Sequence, residues 1–207
     1  MKIQQKVKIN QNSELLVLFE NNDSSVKKLI KSIPEKINKL ENFYKINLPK
    51  TTIEFVYSRE DFDQKIGSET PEWMVGFTRG NKIYLFSPQV IEKESTHKKA
   101  EVEKILIHEI CHIFNHKINK RTLRFFDEGV ALYLADQEKP KPKKFDYKKI
   151  KQKFFKWDIS SKQFAENDGY QLSYWFVRKV VEKYSKNKIL NLLKTDPRKI
   201  GRIINQL

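Results

Sequence analysis

The hydrophobic pattern of the chain changes period once, near residue 98. Before that point most apolar residues fall in short runs of strand type: an alternation in VKIN (7–10), the run LLVLF (15–19) and the β-branched, aromatic TIEFVYS (52–58). One helical stretch interrupts them, with Val26, Leu29, Ile30, Ile33, Ile37, Leu40 and Phe43 at spacings of three and four behind a cap at Asp23 or Ser24. Pro34 inside it predicts a kink or a split. In WMVGFTRGNKIYLFSP (73–88) two strand-type runs flank the turn signal Arg79-Gly80-Asn81 and predict a β-hairpin. Its second arm, Ile83 to Ser87, is expected as the exposed edge beside the helix that follows.

From about Lys98 to His116 the period is helical, and LRFFDEGVALYLAD (123–136) predicts a second helix. EKPKPKKFDYKK (138–149), with two prolines and a lysine cluster, reads as an exposed loop. Helices are then expected near Ser161 to Phe164, from Tyr170 to Tyr184 and from Lys188 to Leu193. Strands and a helix first, then an all-helical second half, predict an α+β fold. The expectation is a single domain over 1–207 with two lobes, 1–118 and 119–207. The first holds a small sheet whose β-hairpin edge packs on the helix of 98–116, and the second is helical.

That helix contains ILIHEICHIFNH (105–116), with histidines at 108, 112 and 116. At about 100° per residue, His112 falls about 40° from His108, while Val102, Leu106, Ile107, Ile110, Ile113 and Phe114, with Cys111 at the edge, fill an arc from about 120° to 300°. The pair therefore lies off the apolar stripe, on a face that a core could leave open as a cleft. Two imidazoles one turn apart can share a tetrahedral zinc ion at bonds of about 2.0 to 2.1 Å. Glu109 sits on the flank, where it can reach a metal-bound water as a base without ligating.

His116 is a poor third ligand, because on a continuous helix it lies about 12 Å beyond His108. A bent-back arrangement, His-Glu-x-x-His-x-x-Gly-x-x-His, needs a glycine where Asn115 stands and a histidine where Ile118 stands. The expectation for His116 is a capping or solvent-facing residue. Glu128 fits better: it shares a helical face with Phe125, Ala131, Leu132 and Ala135, and a carboxylate on such a face needs a counter-charge. Zinc would supply it; Arg121 or Arg124 could do so instead. Gly129 permits close approach of this helix to the histidine helix, and Asp127 is a supporting or capping residue.

Composition adds three constraints. A single cysteine, Cys111, excludes an internal disulfide. The start MKIQQKVKIN has no apolar signal core and no segment approaches 18 consecutive apolar residues, so no membrane span is expected and a cytoplasmic location is. Residues 137–207 hold 19 Lys and Arg against 7 Asp and Glu, which puts +12 of the net +15 in the C-terminal third. Such a surplus suits nucleic acid, an anionic membrane surface or an acidic substrate. Its lysine-rich makeup also arises with no partner, which is the favoured reading; a weak anionic partner stays as the alternative.

His108-Glu109-x-x-His112 followed by Asp127-Glu128-Gly129-x-Ala131 resembles the gluzincin zinc metallopeptidases, specifically the peptidase MA-like domain family. The resemblance extends to the strand TIEFVYS, to Glu60-Asp61-Phe62, to Pro71-Glu72-Trp73-Met74-Val75-Gly76, to IYLFSP, to Tyr170-Gln171-Leu172-Ser173 and to FVRKVVEKYS. It implies a zincin-like fold and hydrolysis of peptide bonds in a peptide or protein substrate. One zinc ion would be bound by His108, His112 and Glu128, with Glu109 as general base and proton shuttle. Two departures stand out: Phe125-Phe126-Asp127 replaces the family's Trp-Leu-x, and Leu132 stands where related peptidases carry a carboxylate that supports a histidine. Tyr170, from its place in Tyr-x-x-Ser, is the candidate oxyanion donor, with aromatic packing as the competing reading and Tyr174 and His97 as alternatives. Two rivals share these residues: a peptidase acting on nucleic-acid-bound proteins, of repressor-cleaving type, and a non-catalytic scaffold. Intact Glu109 argues against the scaffold.

Overall fold

A computed structural model describes residues 1–155 and 159–195. Residues 156–158 and 196–207, all within the lobe expected over 119–207, lie outside the described residues. The fold is α+β. The chain divides into two compact units, Met1–Ile113 and Phe114–Leu207.

The first unit opens with strands β1 (Lys2–Lys8) and β2 (Glu14–Glu20), followed by helix α1 (Ser24–Tyr44), β3 (Thr51–Val56) and α2 (Arg59–Ile66). Strands β4 (Gly76–Arg79) and β5 (Lys82–Phe86), the short helix α3 (Ile91–Glu94) and a single 3-10 turn (Lys99–Glu101) come next. Helix α4 (Val102–Ile118) begins in this unit, and the division between units falls inside it. The sheet order is β1-β2-β3-β5-β4, with both outer pairs antiparallel and the two inner pairings parallel.

This order corrects the expected edge: β5 is interior, between β3 and β4, and Gly76–Arg79 is the outer strand. The physical reason is legible in hindsight. Ile83, Leu85 and Phe86 are all buried, as an inner strand requires, whereas GFTR is short and half-polar, as sheet edges usually are. The hairpin turn is Gly80-Asn81, where Gly80 takes φ +60°, a conformation that favours glycine.

Pro34 neither splits nor ends α1, which runs unbroken through it. Ile33, Ile37 and Leu40 continue one buried stripe across the proline, so packing of that stripe outweighs the lost backbone bond. Leu29, Ile30 and Ile33 of α1 meet Val7, Leu15, Val17, Ile53 and Phe55 of the sheet and Leu106 of α4 in a common apolar core.

Asp23 caps α1 and does more than cap. Its carboxylate accepts from the Ser25 and Val26 amides at 3.0 Å, from the Tyr57 hydroxyl at 3.0 Å, and from the Ser25 and Ser87 hydroxyls. Burial pushes its pKa up, but the hydrogen bonds from Ser25, Ser87, the Val26 amide and Tyr57 together hold it below the usual carboxylate range.

The second unit is helical: the end of α4, then α5 (Arg124–Leu134), α6 (Tyr147–Phe154), α7 (Ser161–Glu166), α8 (Gly169–Lys183) and α9 (Lys186–Lys194). Its core is phenylalanine-rich. Phe125 stacks on Phe154 at 5.4 Å between ring centres and meets Phe176 edge-on at 5.6 Å, while Phe126 packs edge-on against Phe176 at 5.3 Å. No helix among the described residues is long and apolar enough to cross a membrane.

On the sheet face away from α1, Glu54 of β3 is buried beneath three lysines: Lys65 Nζ at 2.7 Å, Lys82 Nζ at 2.9 Å and Lys2 Nζ at 3.4 Å. Burial raises its pKa, yet hydrogen bonds and charge from Lys65 and Lys82 outweigh that and bring it down to about 2. A depressed folded-state pKa stabilises the fold above the unfolded value and loses that contribution as pH falls. Glu54→Gln is therefore expected to cost about 1–3 kcal/mol near neutral pH. In urea melts the difference from wild type should shrink as pH drops from 4.5 towards 2.

Candidate functional site

Helix α4 carries the two histidines, and its polar face is covered as well as its apolar one. Every residue from Ile105 to Asn115 is buried, the polar face included, with His108 8%, Glu109 7% and His112 9% exposed. The helical wheel separates polar from apolar positions correctly but cannot show what covers the polar ones. The hairpin covers Glu109: Thr78 Oγ1 of β4 donates to Glu109 Oε2 at 2.7 Å and lies 3.2 Å from the Glu109 backbone oxygen. Gly76 leaves the space that this carboxylate occupies, because a Cβ there would stand 2.8 Å from Glu109 Oε1.

The strand that does this is itself held in place. Arg59 Nη1 donates to Met74 O at 2.7 Å and Thr70 Oγ1 at 2.9 Å, and its Nη2 donates to Glu94 O at 2.7 Å. Its guanidinium also lies 4.6 Å from the centre of the Phe86 ring. One half-buried cation thus fixes the approach to β4.

His108 and His112 turn their Nε2 atoms towards each other, 3.0 Å apart. That separation is close to what two ligands of one small ion require at bonds of about 2.0 to 2.1 Å. Glu128 of α5 completes the group: one donor atom from each of His108, His112 and Glu128 lies within 4.8 Å of the others. Two imidazole nitrogens and a carboxylate oxygen, all with little exposure, form a set that could hold a metal ion. The sequence picked these three residues, and the structure brings them together.

Arg124, the alternative partner of Glu128, is also near it, with Nε 3.6 Å from Glu128 Oε1. That distance is an ion pair rather than a hydrogen bond. The rest of the Arg124 head points elsewhere, donating to Ile159 O at 3.0 Å and Ser161 Oγ at 2.7 Å.

Neighbours of Glu128 lock its helix on both sides. Asn115 Nδ2 donates to Asp127 Oδ1 at 2.8 Å and to the Asp127 backbone oxygen at 3.3 Å. His116 Nε2 lies 3.1 Å from Asp127 Oδ2. His116 is thus no ligand but, with Asn115, a clamp on the residue before Glu128. Gly129 makes the expected close approach, but to a different helix. A Cβ there would stand 2.5 Å from the Ser173 backbone oxygen of α8 and 3.0 Å from Val177.

Tyr170 lies in the first turn of α8, its ring edge-on to Phe164 at 4.9 Å between centres. Of the alternatives, Tyr174 is buried beside Tyr133 and Trp175. His97 has both ring nitrogens occupied, by Glu101 Oε2 and Trp73 O at 3.0 Å each.

Sequence reasoning missed Gly76, Thr78 and Asn115. A glycine inside a strand often marks a close backbone approach, and an asparagine among apolar helical positions asks for a partner. Thr78 carried no such signal.

The family model described as BSP, peptidase of plants and bacteria, matches residues 18–188, a span that contains every residue of the site. The chain belongs to this family of peptidases. Membership makes it a peptide hydrolase by family and agrees with the peptidase part of the sequence reading. A gluzincin zinc site is a finer statement, resting on the residues themselves. A search of curated proteins finds no match to this chain.

The close approach at Gly129 has a measurable cost when filled. Because the obstacle is backbone, Gly129→Ala is expected to destabilise the protein by about 1–3 kcal/mol, read as a lower midpoint in guanidinium unfolding.

Proposed function

We propose that this peptidase is a zinc enzyme of gluzincin type, with His108, His112 and Glu128 as ligands and Glu109 as general base. The observation that carries the reading is the convergence of those three donor atoms within 4.8 Å, beside a carboxylate steered by Thr78. A buried N2O donor set suits zinc. When bound, the ion supplies Lewis acidity, making an attacking water more acidic and the scissile carbonyl more electrophilic.

Glu109 does the proton work. Thr78 occupies Oε2, while Oε1 meets no hydrogen-bond donor among the described residues. Oε1 is thus the atom that takes the proton of the attacking water. It then delivers that proton to the departing amine nitrogen as the C–N bond breaks, so the carboxylate is regenerated each turnover. Tyr170 is our candidate donor to the developing oxyanion. It stands three residues before Ser173, whose backbone lies against Gly129 next to Glu128, so Tyr170 and Glu128 sit on two closely packed helices.

An extended peptide is the substrate form this arrangement suits. Strand β4 ends the sheet, and a peptide can add to its outer edge by backbone hydrogen bonding.

Metal content and peptide-library cleavage test the proposal together. Glu109→Gln is expected to keep its metal and lose about 10²- to 10⁴-fold in kcat. Glu128→Ala is expected to lose the metal. Cleavage that survives Glu109→Gln would overturn the mechanism. Gly76→Ala separates positioning from binding: the metal should stay while kcat falls about 100-fold, since the added methyl displaces the Glu109 carboxylate.

A further inference from the structure

The outer edge of β4 has two chemically different sides. Phe86 N–H donates to Val75 O at 3.1 Å, so Val75 and Phe86 form a hydrogen-bonded pair. In an antiparallel ladder such pairs alternate. The backbone groups of Phe77 and Arg79 therefore face β5, and those of Gly76 and Thr78 face outward. An added strand would be held by Gly76 and Thr78.

Side chains alternate across the same strand. Gly76 and Thr78 lie on the side of Glu109, as their contacts show. Phe77 and Arg79 lie on the opposite face, the one that carries Tyr84, Lys82 and Glu54. There Arg79 Nη2 donates to Ile66 O at 2.8 Å, and its guanidinium lies 5.4 Å from the centre of the Phe77 ring. These two contacts aim an exposed side chain without neutralising it.

The other cations nearby are compensated. Lys82, directly across from Arg79, and Lys65 both bond Glu54, at 2.9 and 2.7 Å. Arg79 has no carboxylate within ion-pair distance among the described residues. It is an oriented, uncompensated guanidinium one residue from the threonine that holds the general base.

We propose that Arg79 is a specificity residue that selects an acidic side chain in the substrate. This rests on the peptidase reading above and names the substrate class. A peptide strand paired with Gly76 and Thr78 turns the side chain opposite Arg79 onto the Arg79 face, at about 4.5–5.5 Å between Cβ atoms. A carboxylate there can accept from the guanidinium in a charge-assisted pair. Its two neighbours in the peptide turn towards the Glu109 face. The selected acid is therefore a single position flanked by positions without this preference.

The test compares kcat/KM of the full-length metal-loaded protein on peptide pairs that differ only by Asp against Asn, or Glu against Gln, scanned along a cleaved sequence. One position is expected to favour the acid by about three- to tenfold, as a partly exposed ion pair permits. That ratio should fall to about one in Arg79→Gln and invert in Arg79→Glu, which should prefer a Lys peptide at the same position. A ratio within each variant cancels any general loss of activity or stability. Wild-type cleavage with no acidic preference at any position, or a preference that survives Arg79→Gln, overturns this inference and leaves the peptidase reading standing. Failure of the metal-loaded wild type to cleave any peptide overturns both.

Discussion

Helix α4 must bury four polar side chains in succession, and much of the local architecture answers that demand. His108, Glu109, His112 and Asn115 all lie within a stretch where every residue is buried. A buried carboxylate or amide without partners is costly, so each group needs its own answer. Thr78 and the space at Gly76 serve Glu109, and Asp127 serves Asn115. The imidazoles face each other and Glu128, three groups whose arrangement an ion would complete. A helix loaded in this way is poorly suited to a plain hydrophobic core, and is what a water-excluding catalytic site needs.

Two glycines act here through the absence of a side chain rather than through backbone freedom, since neither has positive φ. Gly76 lets a strand lie against a carboxylate, and Gly129 lets one helix touch the backbone of another. Both contacts are too short for any Cβ, so the permitted positions of Glu109 and of α5 are set by hard-core repulsion. Hydrogen bonds from Thr78 and Asn115 then choose among what the repulsion leaves.

Much of this was legible in the chain. His-Glu-x-x-His followed by Glu128 gave the group that could hold a metal ion, because ligand spacing along a helix is a local property that a sequence displays directly. Element boundaries followed for the same reason: Asp23 as a cap, Gly80-Asn81 as a turn, the helical period from Lys98. What failed was everything set by a distant partner. The outer strand was misassigned because an apolar run such as IYLF does not reveal which neighbour flanks it. The cover over the histidine face was not foreseen, because a wheel shows polarity and not cover. Gly129 was matched to the wrong helix, and Asn115, read as a departure from another family's glycine, has its reason in Asp127. Pro34 was read from propensity alone, and a continuous buried stripe outweighed it.

Asp23 bears on how this fold is reached as well as on how it stands. Its carboxylate collects donors from Tyr57 and Ser87, 34 and 64 residues further along the chain. Parallel pairing of β2 with β3 and of β3 with β5 requires two separate crossovers, and the entropy of closing each must be met before those donors arrive. Ser25 and Val26 supply a local cap at once; the Tyr57 bond needs the first crossover in register, and the Ser87 bond needs both. The same atoms therefore begin as a helix cap and end as a latch, coupling completion of the sheet to the helix start that preceded it.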